Sequence, residues 1–363
     1  MTRGPCLLQI IHVIATSVHD SMGVTTALRE IVSAQVEEGM DVCLVVNGGW
    51  PGDVDPRVRL VTCDARALAG QLSSLASNRA VIHSHVPWRL PALAPLLIRR
   101  KGRAFVHSPH GSFAAPALAV HRMRKRLAWT LLFGPAIRRH DLFIVNSAAE
   151  QEEVEEMGLQ RPIVRVPHPM TIPEPPSSGD GEGGRTVAFL GRIHPIKGVL
   201  ELVRSWRELG GATAGWTLFI AGPAEDPAYA AEVQAAAAGC ASITIVPAVF
   251  GNDRWRFLAD ADVVAVPSRS ENFCYVVAEA LAMQTPVLTT LGVPWPEIEP
   301  LSIGWRGPGT TDGLATMLMR AITADTEERK AMGERGRAHV AAEFSPRSVA
   351  QRYAWAYEQA LNR

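Results

Sequence analysis

Short apolar runs alternate along this chain with stretches in which apolar residues recur every three or four positions. The runs of the first half are LLQIIHVI, DVCLVV, AVIHS, RAFVHS, DLFIVN and PIVRV. They are rich in Val and Ile and barely alternate, as expected of strands covered on both faces in a parallel sheet. Between them lie amphipathic segments such as TALREIVSAQVEEG, which predict helices. TIPEPPSSGDGEGGR, residues 171–185, is dense in Pro, Gly and Ser and predicts a linker over 173–185. The rhythm then restarts with TVAFLG, a helix from about Lys197, WTLFIAG, SITIVPA, DVVAVPS and PVLTT. The chain therefore reads as two Rossmann-like parallel-sheet α/β domains, 1–172 and 186–344, facing a central cleft. A last helix over 345–363 starts at Ser345-Pro346 and carries Tyr353, Trp355 and Tyr357, enough apolar surface to dock on something.

Composition narrows the function classes. The 363 residues hold 36 basic and 36 acidic side chains and a formal net charge of zero, so general nucleic-acid binding is not expected. The five cysteines form no CxxC, which argues against a disulfide framework or zinc site and for a reducing compartment. Arg3 and the apolar run after it imitate a signal peptide, but Gln9 and His12 interrupt that run. A buried first strand fits better. No apolar run approaches the roughly 18 residues of a membrane helix, and a cytoplasmic location is expected.

Candidate chemistry sits where strands end. In SRSENFCYVVAEAL, Glu271 falls in the loop after a strand and Glu279 on the following helix. Helical geometry would separate them by roughly 12 Å along the axis, which is poor for a glycosidase pair at about 5 to 9.5 Å. The spacing suits carboxylates gripping hydroxyls on two sugars of one long ligand. The plainer reading is one exposed and one capping glutamate. In GRIHPIKG, residues 191–198, Arg192 and Lys197 bracket a turn before a helix. Two cations and a helix N-terminus suit a diphosphate whose charge grows as a sugar bond breaks, against the alternative of two surface cations. HDSMGVTTALRE places Gly23 between the first strand and first helix, where backbone can approach a phosphate. It matches neither GxGxxG nor GxxxxGKS.

IHSHVPW sets His83 and His85 after one strand, and HSPHGSF sets His107 and His110 after the next. The HxH invites a metal, but no carboxylate or cysteine stands at matching spacing, so no metal is expected. His110 could bond a sugar hydroxyl or carry charge beside a reacting carbon; a plain loop histidine is the competing view. Two DxD matches, Asp53/Asp55 and Asp260/Asp262, read as turn or capping aspartates.

These pieces together resemble the family 4 retaining glycosyltransferases of GT-B fold, over nearly the whole chain. SPHGSF with KRLAW, VAFLGRIHPIKGV, LFIAGP, ADVVAVPSRSENF, VVAEALAMQTPVLTT and PWPEIE stand in that family's order. The resemblance implies that Arg192 and Lys197 bind the donor diphosphate and Glu271 the donor sugar. Asn272 and Phe273 would lend backbone contacts, Glu279 would hold the ribose, and Val249 and Phe250 would lie near the base. His110 would sit by the donor sugar and Gly23 by the phosphates, and the final helix would cross back to the first domain. It implies a nucleotide-sugar donor, a glycan or polyprenyl-diphosphate-linked acceptor, retention of configuration, no cofactor and no metal. The members it most resembles serve exopolysaccharide or lipopolysaccharide assembly. Three departures stand out: Met22-Gly23 for paired glycines, Cys274 for the glycine after ENF, and Val166-Pro167-His168-Pro169 for a VPNG-like turn. They leave room for a non-catalytic nucleotide-sugar-binding subunit, and a GT-B phosphorylase or epimerase is a third reading.

HRMRKRLAWTLLF, residues 121–133, concentrates Arg122, Arg124, Lys125 and Arg126 ahead of Trp129. It is a candidate for resting on anionic lipid heads at the inner leaflet. The alternative is an ordinary helix with a solvated basic face and a core-facing stripe.

Overall fold

The computed structural model describes residues 8–16, 22–98, 102–175 and 185–363. The linker segment 176–184 and the loop 17–21 ahead of Gly23 lie outside the described residues. The chain forms two compact units, one from its first 171 residues together with Glu343–Arg363, the other from Ile172–Ala342.

The first unit is built on β1 (Gln9–Thr16), β2 (Asp41–Gly48), β3 (Arg59–Cys63), β4 (Ala80–His85), β5 (Ala104–Ser108), β6 (Leu142–Val145) and β7 (Ile163–Arg165). They pair in parallel in the order β3-β2-β1-β4-β5-β6-β7. The order reverses between β1 and β4, the position where doubly wound sheets place ligands. β3 was not foreseen from the sequence. It is an edge strand with its side chains half to fully exposed, so it lacks the Val/Ile run that marks a buried one.

The second unit has β8 (Arg185–Leu190), β9 (Trp216–Ala221), β10 (Ile243–Val246), β11 (Val263–Val266), β12 (Val287–Thr290) and β13 (Gly304–Gly307). Its parallel order is β10-β9-β8-β11-β12-β13, with the reversal between β8 and β11. β13 also escaped the sequence reading, because GWRG reads as a turn. A Cβ on Gly304 would stand 2.0 Å from the Val287 carbonyl, so glycine there lets the strand close on β12.

The C-terminal helix Pro346–Leu361 is capped by Ser345, whose side chain accepts from the Ser348 N–H. Its Val349, Tyr353, Ala356 and Tyr357 pack with Ile10, Val81, Val106 and Ile144 of the first sheet. Trp355, expected to help it dock, is 55% exposed instead, since it falls on the opposite face from Tyr353 and Tyr357.

Candidate functional site

In the second unit, the loops after β8 and β11 meet at the reversal of strand order. The Arg269 N–H donates to the Ile196 carbonyl at 2.8 Å, and the Glu271 N–H to the Gly292 carbonyl at 3.0 Å. Gly198, with φ +67°, could carry no Cβ, because one would stand 2.1 Å from the Pro267 carbonyl. These constraints bring Lys197 and Glu271 together at 2.5 Å, both mostly buried. The helix Val199–Leu209 starts just beyond; the expected start near Lys197 is a short 3-10 turn, Pro195–Lys197. Arg192 stands on the same loop, exposed, and pairs with Glu225 at 2.5 Å.

Glu279 lies on the helix Tyr275–Ala282 and pairs with Arg254 at 3.1 Å. Burial pushes its carboxyl above the usual range, with Arg254 opposing. The two glutamates of the ENF segment thus serve two separate cations rather than one another. Phe250, in the loop after β10, is 63% exposed, an unusual setting for a phenyl ring, and Val249 beside it is half-buried. Asn272 is half-buried. Phe273 is buried, and its carbonyl accepts from Trp295 Nε1 at 2.6 Å, so that carbonyl is committed inward. Cys274 has φ +67°, the left-handed backbone that favours glycine.

In the first unit, His110 follows β5, also in left-handed backbone at φ +52°. A residue that sequence reasoning missed holds its turn. Buried Glu150 accepts from the Gly111 N–H at 2.7 Å and the Asn146 N–H at 2.8 Å. The sequence signal was Ser147-Ala148-Ala149-Glu150, the spacing of a helix capping box. Ser147 does cap the helix Ala148–Glu156, but the Glu150 carboxyl reaches across to the PHG turn. Burial raises it to about 7 against those backbone donors. His168, in place of the family's asparagine, stacks on His110 with ring centroids 5.8 Å apart. Burial lowers the His110 ring to about 4 and the His168 ring to about 3. Gly23 is exposed in the first turn of the helix Met22–Glu37, and an added Cβ would meet nothing within 4 Å.

One aspartate of each DxD match is committed elsewhere. Asp55 is held by Arg57 at 2.7 Å, and Asp262 accepts from the Thr186 N–H at 2.8 Å and pairs with Arg329. The HxH pair gains an unforeseen companion: β1 places His12 beside it, and a ring nitrogen from each of His12, His83 and His85 lies within 4.8 Å of the other two.

The basic segment carries two apolar faces: Trp129 and Phe133 pack against a buried cluster that includes Phe113, Ile137 and Phe143, the core-facing stripe of an ordinary helix. No residue of the helix Arg122–Ala128 is buried. Met123, Leu127 and Leu131, spaced four apart, are 79%, 63% and 71% exposed, so a second apolar stripe faces outward, flanked by Arg122, Arg124 and Arg126. Lys125 lies over the Trp88 ring at 5.6 Å. An open groove of about 510 Å³ runs beside it, lined by Trp88, Leu118, Arg122, Arg126, Trp129 and Met157. No helix among the described residues is long and apolar enough to cross a membrane.

Comparison with known proteins agrees with this fold. The glycosyl transferase 4-like domain matches residues 22–169, and glycosyl transferases group 1 matches 184–320. D-inositol 3-phosphate glycosyltransferase of Nocardia farcinica is 28% identical over 358 residues, 89% of this chain and 76% of that protein. The Segniliparus rotundus protein of the same name is 28% identical over 79% of this chain and 67% of its own length. Among solved structures, sucrose-phosphate synthase from Thermosynechococcus elongatus superposes with TM-score 0.78 at 19% identity, over 97% of this chain and 98% of that one. Anabaena HepE gives 0.73 at 16%, over 96% and 99%. With these two domain models covering both halves and the GT-B architecture in place, the chain belongs to the family 4-type glycosyltransferases.

Proposed function

We propose that the protein transfers a hexose from a nucleoside diphosphate sugar to a glycan or polyprenyl-diphosphate-linked acceptor, with retention of configuration, in surface polysaccharide assembly. The observation that carries this reading is the Lys197–Glu271 pair at the carboxyl ends of β8 and β11. Lys197 and Arg192 neutralise the diphosphate as it departs, which lowers the barrier more than it tightens ground-state binding. They supply the positive charge in this reading, so it calls for no cofactor beyond the sugar nucleotide. Glu271 takes the hydroxyls of the donor sugar, Glu279 the ribose, and the exposed Phe250 ring offers a stacking surface for the base. Asn272 and Phe273 shape the loop, and Gly23 leaves room for phosphate. His110 bonds a hydroxyl of the donor sugar. That Anabaena HepE was solved in complex with UDP and glucose supports a donor of this class.

The acceptor side rests on the outward stripe of Met123, Leu127 and Leu131 with its flanking arginines. Apolar side chains at an interface combined with cations suit an anionic bilayer surface, and hence a lipid-linked acceptor at the inner leaflet. Flotation with anionic vesicles checks this: binding at low salt that is lost on Leu127→Glu/Leu131→Glu supports it, and no binding of the wild type sinks it.

Thermal shift with UDP-, GDP- and ADP-sugars tests the donor reading. A ligand at a hundredfold excess over its Kd stabilises by about 2.7 kcal/mol; no response to any of the three overturns the site. One observation favours a second reading, a non-catalytic sugar-nucleotide-binding subunit: Cys274 stands where left-handed backbone favours glycine. Donor binding without turnover across lipid-linked acceptors would select it.

A further inference from the structure

The first sheet carries polar rings through its centre, where each must find a partner. The register sets His12 of β1 beside His83 of β4, and His85 lies two residues on, so the three rings share one face. All three are fully buried. Against that face lie Gln35 of the first helix and Tyr357 of the C-terminal helix.

The direction of every hydrogen bond here follows from one carbonyl. The Ser108 hydroxyl donates to the Ile144 carbonyl at 2.7 Å, and a carbonyl can only accept, so the hydroxyl's single proton is used there. Its oxygen must then accept from His83 Nε2–H at 2.9 Å. A neutral imidazole has one donor and one acceptor, which leaves His83 Nδ1 to accept from the Tyr357 O–H at 2.9 Å. The Tyr357 oxygen accepts from Gln35 Nε2 at 3.1 Å, which fixes the amide's orientation. Gln35 Oε1 therefore accepts from His12 Nε2–H at 2.8 Å. His12 Nδ1 accepts from His85 Nε2–H at 2.9 Å, and His85 Nδ1 accepts from His110 Nε2–H at 2.8 Å. No donor faces a donor along the whole path.

We infer that this chain, anchored on the Ile144 carbonyl, holds His110 as the Nε2-protonated neutral imidazole and leaves Nδ1 as its lone pair, with Tyr357 and Gln35 as positioning residues. Burial agrees, lowering His12 and His110 to about 4 and His83 and His85 well below the ordinary histidine range. Only in its consequence does the inference rest on the transferase reading: a ring held this way accepts a bond from a sugar hydroxyl and carries no positive charge beside the sugar. A cation at His12, His83 and His85 would need a lone pair from each ring, and the hydrogen-bond chain already commits both nitrogens of all three, so the two arrangements exclude each other.

The test is the long-range proton–nitrogen spectrum of the full-length protein labelled with [15N]histidine, recorded at pH 7 without substrate. The expected result is that His12, His83, His85 and His110 all carry their proton on Nε2. His110 protonated on Nδ1, His110 charged, or one equivalent of bound zinc that shifts His12 and His83 would each overturn the inference. Tyr357→Phe removes the link between the two arms. His83, still anchored by Ser108, keeps its tautomer, while Gln35 is free to turn and His110 becomes a mixture. If the two forms equalise, half the enzyme presents the productive ring, and the apparent donor Kd rises about twofold with kcat unchanged. An unaltered His110 spectrum in this variant overturns the positioning role; if the variant does not fold, the wild-type spectrum still decides the tautomer. Because the spectrum needs no turnover, a protein that transfers no sugar would refute the transferase reading and leave this one standing.

Discussion

The two sheets share a reversal of strand order beside their first strand, yet they place their polar groups differently. In the second unit the strands at the reversal bury Val187, Ala188, Phe189, Val263, Val264 and Ala265, all apolar. Its charges, Lys197, Glu271, Arg192 and Glu225, stand in the loops above. In the first unit the corresponding strands bury His12, His83, Ser84 and His85 in mid-sheet. The difference shows two ways to place polarity near a ligand. Charges in loops can exchange partners when a ligand arrives. Neutral rings in a core survive only when each donor meets an acceptor, and the reward is a fixed geometry.

The sharpest way to break the comparison is to remove one loop charge. Lys197→Ala or Glu271→Gln should lower kcat by about 10²–10³-fold, the scale for losing one electrostatic stabiliser of a transition state, whereas the urea midpoint reports separately the charge left unpaired in the mostly buried ion pair. Full activity in both variants would falsify the site assignment. In the first sheet the expected loss is of stability. His12→Leu orphans Gln35 Oε1 and His85 Nε2–H in the interior, each at about 1–3 kcal/mol, and a urea melt reads the loss. A stability equal to wild type would show that those groups repartner and that the ring is dispensable.

The same contrast explains what the sequence disclosed. Valine-rich runs marked the central strands of both sheets, whereas β3 and β13 stayed hidden, one because it is an exposed edge and the other because Gly304 and Gly307 disguise it. The placement of GRIHPIKG and ENF in loops at strand ends was legible, since each follows an apolar strand within a few positions. Their partners were not: Glu225 stands 33 residues from Arg192 and Arg254 sits on another helix from Glu279. Gln35 and Tyr357, 322 residues apart, converge on the histidines only through packing of the first and last helices. Pairings made by tertiary contact leave no local spacing to read.

Glu150, which holds the PHG turn of the first unit, gives that unit a pH signature of its own. Its folded carboxyl titrates at about 7, raised by burial from an ordinary value near 4.5. The folded state therefore binds its proton more tightly than the unfolded one. This stability is fully present below about pH 4.5 and is lost as pH rises toward 7, by about 2 kcal/mol between pH 5 and 7. Neighbouring Glu153, also raised to about 7, adds in the same direction, so the comparison is with Glu150→Gln, which removes only the first contribution. Urea melts across that range should show a shallower decline in the variant; parallel declines would mean that the clamp on the PHG turn is ionised throughout.

The smallest effect concerns Cys274 and decides between the two functional readings. Its φ of +67° costs an L-residue roughly 1 kcal/mol or more relative to glycine, while glycine gives back roughly 0.5–1 kcal/mol through the freedom of the unfolded chain. Cys274→Gly should therefore raise stability by only about 0.5 kcal/mol. Its effect on turnover is the more telling measurement. If the cysteine has displaced the backbone between Glu271 and the helix Tyr275–Ala282, glycine restores it and transfer rises while Lys197→Ala in the same background abolishes it. If wild type and Cys274→Gly turn over equally, the thiol is accommodated and the strain is a local feature of a working enzyme. If both bind the sugar nucleotide and neither transfers to any lipid-linked acceptor, the loop chemistry of the second unit serves binding alone.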